Sequence, residues 1–311
     1  MAPSPTFDVL GFGALAVDDL LYVDEYPPPD GKQQVRRRLR QCGGLTGTAL
    51  VAAARLEARC AYVGMLGDDD LSRFVADALR DEGIDLTHAA RRSDARPGHS
   101  TIIVGRQRRT RNVFSCVEGP MGADPDRPDA ELIRAARTIL VDYHGLEGTI
   151  RAARIARESG VGVVGDFERD PGGNFSELLA LVDHPIVPER FARELTGCED
   201  PATAAEKLVR PGMEAVVVTC GDAGCWYLNA AGNRQPRHFP AFSVETVDTT
   251  GCGDVFHGAY TVALARGIDL HERIAFASAT AALKAMQPGG QAGSPSLRVV
   301  RDFLDNRGCS P

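Results

Sequence analysis

No stretch of this sequence stays apolar for the roughly 18 residues that a membrane-crossing helix needs, so no span and no membrane partner are expected. The opening residues, M-A-P-S-P-T-F-D, hold neither a basic region nor an apolar one after it. No signal peptide is expected there, and the cytoplasm is the expected location. The eight cysteines (42, 60, 116, 198, 220, 225, 252 and 309) include no C-x-x-C pair. They read as reduced thiols, and a zinc site is not expected. Positive charge is in deficit: 35 Lys and Arg against 42 Asp and Glu leave a net charge of −7. That balance argues against nucleic acid as the main partner. Internal repeats and low-complexity tails are lacking too. With 43% hydrophobic and 25% charged residues in 311, the chain has the composition of a globular enzyme, enough for one large α/β domain with a small accessory element.

The most informative stretch is V-D-T-T-G-C-G-D-V-F-H-G, Val247 to Gly258. Gly251, Cys252 and Gly253 make a tight turn. From Asp254 the apolar Val255, Phe256, Ala259, Val262 and Ala263 recur at helical spacing, and Arg266-Gly267 supplies a cation and a C′ glycine as the stop. The first amides of a helix lack internal partners and sit at the positive end of its dipole. Glycines let an anion approach them closely. The turn therefore predicts an anion hole suited to a phosphoryl group in transfer, with Asp254 placed to accept the proton of an attacking hydroxyl. The helix start is expected to lower the pKa of Asp254.

Elsewhere, Phe7 to Leu10 reads as a buried strand followed by G-F-G-A-L-A, which fits G-x-G-x-x-A. A dinucleotide-binding unit would need a crossover helix next; Pro27-Pro28-Pro29 and a basic alternating segment follow instead, so that reading is set aside. Residues 20–26 and 32–42 read as one pair of strands, and 99–106 and 110–117 as another. Arg36, Arg37, Arg38 and Arg40 load the first pair with charge, and Arg106, Arg108, Arg109 and Arg111 the second. Such charge either protects a sheet edge or, with Lys32, binds an anionic group on a ligand. Cys60 to Gly67 reads as one strand. Helix and strand then alternate over 129–136, 138–142, 148–159 and 161–166, and a further strand is read at 215–219. This is the rhythm of a parallel sheet with right-handed crossovers. Helices close the chain at 270–286 and 297–304.

The Asp248–Asp254 string resembles the D-T-x-G-A-G-D signature of the ribokinase family, the PfkB-type carbohydrate kinases, with Cys252 where alanine is usual. Other blocks follow in family order: Gly13 to Asp18 (G-x-x-x-x-D), Gly43-Gly44 with Thr48 at the place of an asparagine, V-G-M-L-G-D-D, Leu195-Thr196-Gly197, and Thr219 to Gly224. Several strings, among them D-V-F-H-G-A and A-L-K-A-M-Q-P-G-G-Q-A-G-S-P, look closer to the sulfofructose kinase branch. The resemblance implies an α/β fold, a ribokinase-like three-layer sandwich around a mainly parallel sheet, in a single domain over residues 1–311. The strands at about 20–42 and 99–117 would form a small β-sheet lid that closes over the sugar and pairs two copies as a homodimer.

The implied activity is ATP-dependent transfer of the γ-phosphate to a hydroxymethyl group of a sugar, a ketose or an anionic sugar. A nucleoside kinase on the same fold and a non-catalytic sugar or nucleotide sensor stay open as alternatives. The implied site has Asp254 with Gly251, Cys252 and Gly253 as catalytic groups. Asp18, Lys32, Gly43, Gly44 and Thr48 would hold the substrate, and Thr219, Gly221, Gly224 and Gly290 the nucleotide. Mg²⁺ would fall to Asp166 and Glu189, because Pro188 and Phe191 stand where the family has the polar residues of N-x-x-E. A monovalent cation, K⁺, would fall to Asp248 and Thr250.

Overall fold

The computed structural model describes residues 5–105 and 110–308. Arg106, Arg108 and Arg109, together with the Arg111 side chain, lie outside them. In chain order the first half gives β1 (Phe7–Phe12), β2 (Ala16–Val23), β3 (Arg37–Gly43), α1 (Leu45–Arg55), β4 (Cys60–Tyr62), β5 (Met65–Leu66), α2 (Asp70–Asp81), β6 (Ala90–Arg91), β7 (Gly98–Gly105), β8 (Thr110–Cys116), α3 (Ala130–Arg134), β9 (Ala136–Val141) and α4 (Leu146–Glu158). The second half gives β10 (Gly162–Asp166), α5 (Phe175–Leu181), β11 (His184–Pro188), α6 (Glu189–Thr196), α7 (Pro201–Leu208), β12 (Ala215–Thr219), β13 (Cys225–Asn229), β14 (Arg237–Phe239), α8 (Cys252–Ala265), α9 (Leu270–Ala285) and α10 (Leu297–Asp305).

Eight strands make the central sheet in the order β14-β13-β12-β11-β10-β9-β1-β4. It is parallel from β4 to β12, with β13 and β14 antiparallel at one edge. Side chains alternate faces along each strand, and both faces are buried. Val9, Val164 and Val217 pack into one core with α1, α8 and α9, while Leu10, Val163 and Val218 pack into the other with α4, α6 and α7. The result is the expected ribokinase-like α/β sandwich of three layers, helices on either side of a mainly parallel sheet. No helix among the described residues is long and apolar enough to cross a membrane.

A second sheet of four strands, β3-β2-β7-β8, stands apart from the first. Its strands are shifted from the expected ones: β2 begins at Ala16, and residues 24–36 contain no strand. Pro27-Pro28-Pro29 explains this gap, since proline offers no amide to a ladder. The expected strand from Cys60 to Gly67 is two short pieces, because the Gly64 carbonyl leaves the ladder to accept from the Ala90 amide. All parallel strands point their C-terminal ends to one edge of the central sheet, the edge where open α/β folds bind ligands.

Candidate active site

Glycine conformation sets the geometry at that edge. Gly251 is the N-cap of α8 with φ 76°, and Gly44 that of α1 with φ 90°. A Cβ at Gly44 would come within 2.5 Å of the Ala14 carbonyl oxygen, so only glycine fits. A Cβ at Gly251 would lie 3.1 Å from the Cα of Gly290 and 3.3 Å from the Thr48 methyl. Three predicted residues from distant parts of the sequence thus meet at the start of α8. Gly253 faces open space, with nothing within 4 Å of where a Cβ would stand. The amides are less uniform than expected: Cys252 N donates to the Thr249 carbonyl at 3.2 Å, so it is already used inside the turn. The Gly253 and Asp254 amides are the first-turn donors beyond that turn.

Asp254 is half-buried on the first turn of α8. Burial, followed by the charge of Asp166, pushes its carboxyl well above the usual carboxylate range. This reverses the expectation that the helix start would lower it; desolvation and an acidic neighbourhood outweigh the helix dipole. Asp166 ends β10, fully enclosed, and is raised as well, by burial first and then by Asp142 and Glu168. Its Oδ1 is 3.4 Å from His257 Nε2, while its Oδ2 is buried with no hydrogen-bond partner. An orphaned buried carboxylate oxygen calls for a proton or a cation. Burial keeps His257 below its ordinary pKa, and its Nδ1 lies 2.7 Å from the Gly253 carbonyl.

Asp142, just past β9, has no counterpart among the predicted residues. It is fully buried; Oδ2 accepts from Ala14 N at 2.7 Å and Thr46 Oγ1 at 3.0 Å, and Oδ1 accepts from His144 N at 2.7 Å. A Cβ at Gly13 would fall 2.1 Å from Asp142 Oδ2, which explains that glycine. One carboxylate thereby ties the loop after β1 to α1 and to the loop after β9. The only sequence sign was its position at a strand end.

On the small sheet Asp18 is half-buried in β2 and pairs with Gln41 of β3. Its Oδ2 would be 2.8 Å from a Cβ at Gly43, which keeps that position free of side chain. Lys32 is exposed in the 24–36 segment rather than on a strand. The described arginines do not gather around Asp18. Arg40 grips Asp19 through two bonds of 2.8 and 2.7 Å, and Arg38 lies 3.8 Å from the same carboxylate. Residues 19, 38 and 40 occupy the face opposite Asp18. Arg36 precedes β3 and binds Asp24, and Arg37 lies over the Tyr22 ring at 5.5 Å.

Of the expected nucleotide residues, Gly290 meets Gly251 at the start of α8, and the other three lie at the end of β12 and in the turn after it. Thr219 ends β12, Gly221 opens a 3-10 turn, and Gly224 has φ 93° because a Cβ would stand 2.1 Å from the Phe239 carbonyl oxygen. Glu189 opens α6, exposed, with its carboxylate against the Cys220 thiol. Phe191 is sealed in the core, 6.0 Å from the Phe175 ring. The departure from N-x-x-E therefore puts a core side chain where the family pattern has a polar one. Among the described residues no three His, Cys, Asp or Glu side chains form a metal cluster. Asp248 folds its carboxylate onto the Thr250 and Gly289 amides, each at 2.8 Å.

Comparison with known proteins identifies the family. The family model described as pfkB family carbohydrate kinase matches residues 7–297. A ribokinase of Haemophilus influenzae is 29% identical over 302 residues, covering 94% of this chain and 97% of the relative. An aminoimidazole riboside kinase of Salmonella typhimurium is 28% identical over 286 residues, covering 85% and 88%. The crystal structure of a ribokinase from Thermotoga maritima superposes with a TM-score of 0.83 at 27% identity, covering 96% of this chain and all of that one. The chain belongs to the pfkB family of carbohydrate kinases, phosphotransferases that act on sugar hydroxyl groups.

Proposed function

We propose that this chain transfers the γ-phosphoryl group of ATP to a primary hydroxyl of an uncharged sugar, a ketose or pentose. The observation that carries this reading is the meeting of Gly251, Thr48 and Gly290 at the start of α8, beside Asp254. On this reading Thr48 of α1, the anion-binding start of α8 and the Asp254 base would work side by side, and the contact of the Thr48 methyl with Gly251 supports it. Asp18 would accept hydrogen bonds from sugar hydroxyls, with Gly43 and Gly44 letting the ring approach the backbone. Asp254 would take the proton of the attacking hydroxyl, while the α8 amides stabilise charge on the transferring group. Thr219, Gly221, Gly224 and Gly290 would border the nucleotide. Mg²⁺, when bound, supplies charge neutralisation at the phosphates. Asp166, with its orphaned oxygen, would hold the ion through water, as Mg²⁺ commonly keeps several waters, and Glu189 would serve from the nucleotide side.

An uncharged acceptor fits better than an anionic one. The acids 142, 166, 168 and 254 crowd the site; among the described arginines of the small sheet, Arg38 and Arg40 lie against Asp19 on the face opposite Asp18, Arg36 pairs with Asp24, and Arg37 lies over the Tyr22 ring. The same reading gives the small sheet the role of a lid that pairs two copies, supported by the exposed Phe114 on β8. A riboside acceptor is the second reading, favoured by the riboside kinase among the relatives. The test is ADP release with Mg²⁺ and ATP across ketoses, pentoses, sugar phosphates, sulfofructose and ribosides, with Asp254→Asn as blank. Turnover of a neutral sugar that vanishes in the variant supports the proposal; turnover only with an anionic sugar or a nucleoside overturns the substrate class.

A further inference from the structure

Lys284 is completely buried, on the last turn of α9. A lysine is almost never enclosed without a partner. Here Nζ donates to the Asp248 main-chain carbonyl at 2.7 Å. The surroundings form a closed circuit. The Val247 and Asp248 amides donate to the Ala285 carbonyl, at 2.8 and 3.0 Å. The Asp248 carboxylate accepts from Thr250 N and Gly289 N. Burial resists the charge on Asp248, yet those two amides, with Lys284, hold its carboxyl below the usual value. A Cβ at Gly293 would touch Lys284 Cε at 3.2 Å, so the loop after α9 closes over the stem. The negative end of α9 favours a cation at this place.

This is the position at which the family resemblance calls for a monovalent cation held by Asp248 and Thr250. The residues present do not fit one. The carbonyl oxygen of Asp248 is taken by an ammonium, and both carboxylate oxygens of Asp248 are taken by amides. A second positive ion would be repelled by the first.

We propose that the Lys284 ammonium stands in for the monovalent cation, so that this kinase works without K⁺. The lysine ties the 247–250 strap to the 289–293 loop and sets a fixed positive charge behind the α8 start. Its field reaches Cys252, where it opposes the rise that burial imposes on the thiol. A covalently attached cation has no dissociation constant, so the anion hole keeps its shape at any salt composition. Lys284 is thus a positioning residue, acting through the α8 loop. This inference concerns ion dependence within the proposed kinase reading, and its test is separable from that reading.

The experiment compares KCl, NaCl and choline chloride at equal ionic strength, for the wild type and for Lys284→Ala. For the wild type, kcat is expected to agree within twofold across the three salts, and the melting temperature to show no K⁺-specific rise. For Lys284→Ala, kcat in choline chloride is expected to fall tenfold or more, with KM for the sugar nearly unchanged. K⁺ or methylammonium should restore at least part of that loss and raise the melting temperature. A fivefold or greater activation of the wild type by K⁺, or a K⁺-specific rise in its melting temperature, overturns the proposal. So does a Lys284→Ala variant as active in choline chloride as the wild type. If that variant does not fold, Lys284→Met takes its place, and the wild-type salt series still decides. If no acceptor supports turnover, the proposed function fails while the melting series still answers the ion question.

Discussion

Two groups of carboxylates, one on each sheet, behave in opposite ways. On the small sheet Asp19 is saturated. Arg40 bonds it twice, and His99 Nε2 lies 2.9 Å from its second oxygen. Arg40 above all, with His99 and Arg38 adding to it against the effect of burial, holds the carboxyl well below the ordinary range. At the edge of the large sheet Asp166 has a buried oxygen without a hydrogen-bond partner, and Asp166 and Asp254 are both raised, by burial and by the other acids around them. The same residue type is spent in one place on holding strands together and left available in the other for a cation or a proton. An acid whose partners are all present has finished its work at folding; an acid missing partners awaits a ligand.

Removing the base itself has the largest expected effect. Asp254→Asn should lower kcat by about a thousandfold, the usual scale for a positioned general base. Because it also removes a carboxylate whose ionisation burial and Asp166 oppose, it should leave the melting temperature unchanged or higher. A variant within threefold of wild type would break the comparison at its functional end. Asp166→Asn comes next, with a loss of roughly 10–100-fold in activity and a weaker response to Mg²⁺, the scale seen when a group supporting a metal is changed. Its pH signature is more telling. In wild type the acidic limb of kcat/KM should lie above the ordinary carboxylate range, and Asp166→Asn should move it down. The sign for stability follows from linkage. A raised folded pKa favours the fold below about pH 4 and loses that advantage as pH rises through the folded value. Asp166→Asn should therefore gain melting temperature at pH 7–8 and gain nothing near pH 4.

How much of this was legible in the sequence follows the same division. The glycine-rich turn before α8 carries its own backbone signature, and the strand–helix rhythm carries the sheet, so both could be read locally. Asp142 and Lys284 could not. Each is one polar residue in an ordinary strand end or helix end, and its meaning lies in contacts with Ala14, Thr46 or Asp248 that only the fold creates. The helix-dipole argument for Asp254 failed for the same reason: burial opposes it first, and then carboxylates at the end of β10 and in the loops after β9 and β10. The arginines near residue 38 left two readings open in the sequence, edge protection or anion binding, which only their partners could separate. Their partners, Asp19 and Asp24, sit on the neighbouring strand and loop, and a run of positive charge in sequence became a set of pairs in space.

The structural cluster predicts smaller effects of the opposite pH sign. Asp19→Asn strands two guanidinium groups, and charge-assisted bonds of this kind contribute on the order of 1.5–3 kcal/mol. Arg40 is 39% exposed, so solvent screening reduces the expected loss to about 1–2 kcal/mol. A depressed folded pKa gives stability that is complete above about pH 4 and is lost as pH falls toward the folded value. The deficit of Asp19→Asn should thus be constant from pH 5 to 8 and shrink in acid, with kcat near wild type. A loss of stability that grows in acid would contradict the assignment.

The smallest effect is expected at Arg36, whose pairing with Asp24 involves side chains 48% and 32% exposed. Exposed pairs contribute at most about 1 kcal/mol, so Arg36→Ala should shift the melting temperature by about 2 °C or less. Its value lies in what it asks of the small sheet. If the arginines there are structural or solvated, KM for the sugar is unchanged, and the contrast between a saturated small sheet and an unsaturated large-sheet edge is sharpened. If KM rises tenfold for one acceptor and kcat holds, Arg36 leaves Asp24 to meet that acceptor. The acceptor then carries negative charge, and the uncharged-sugar assignment gives way, because an exposed arginine that must leave a carboxylate gains little from a neutral polyol and much from an anion.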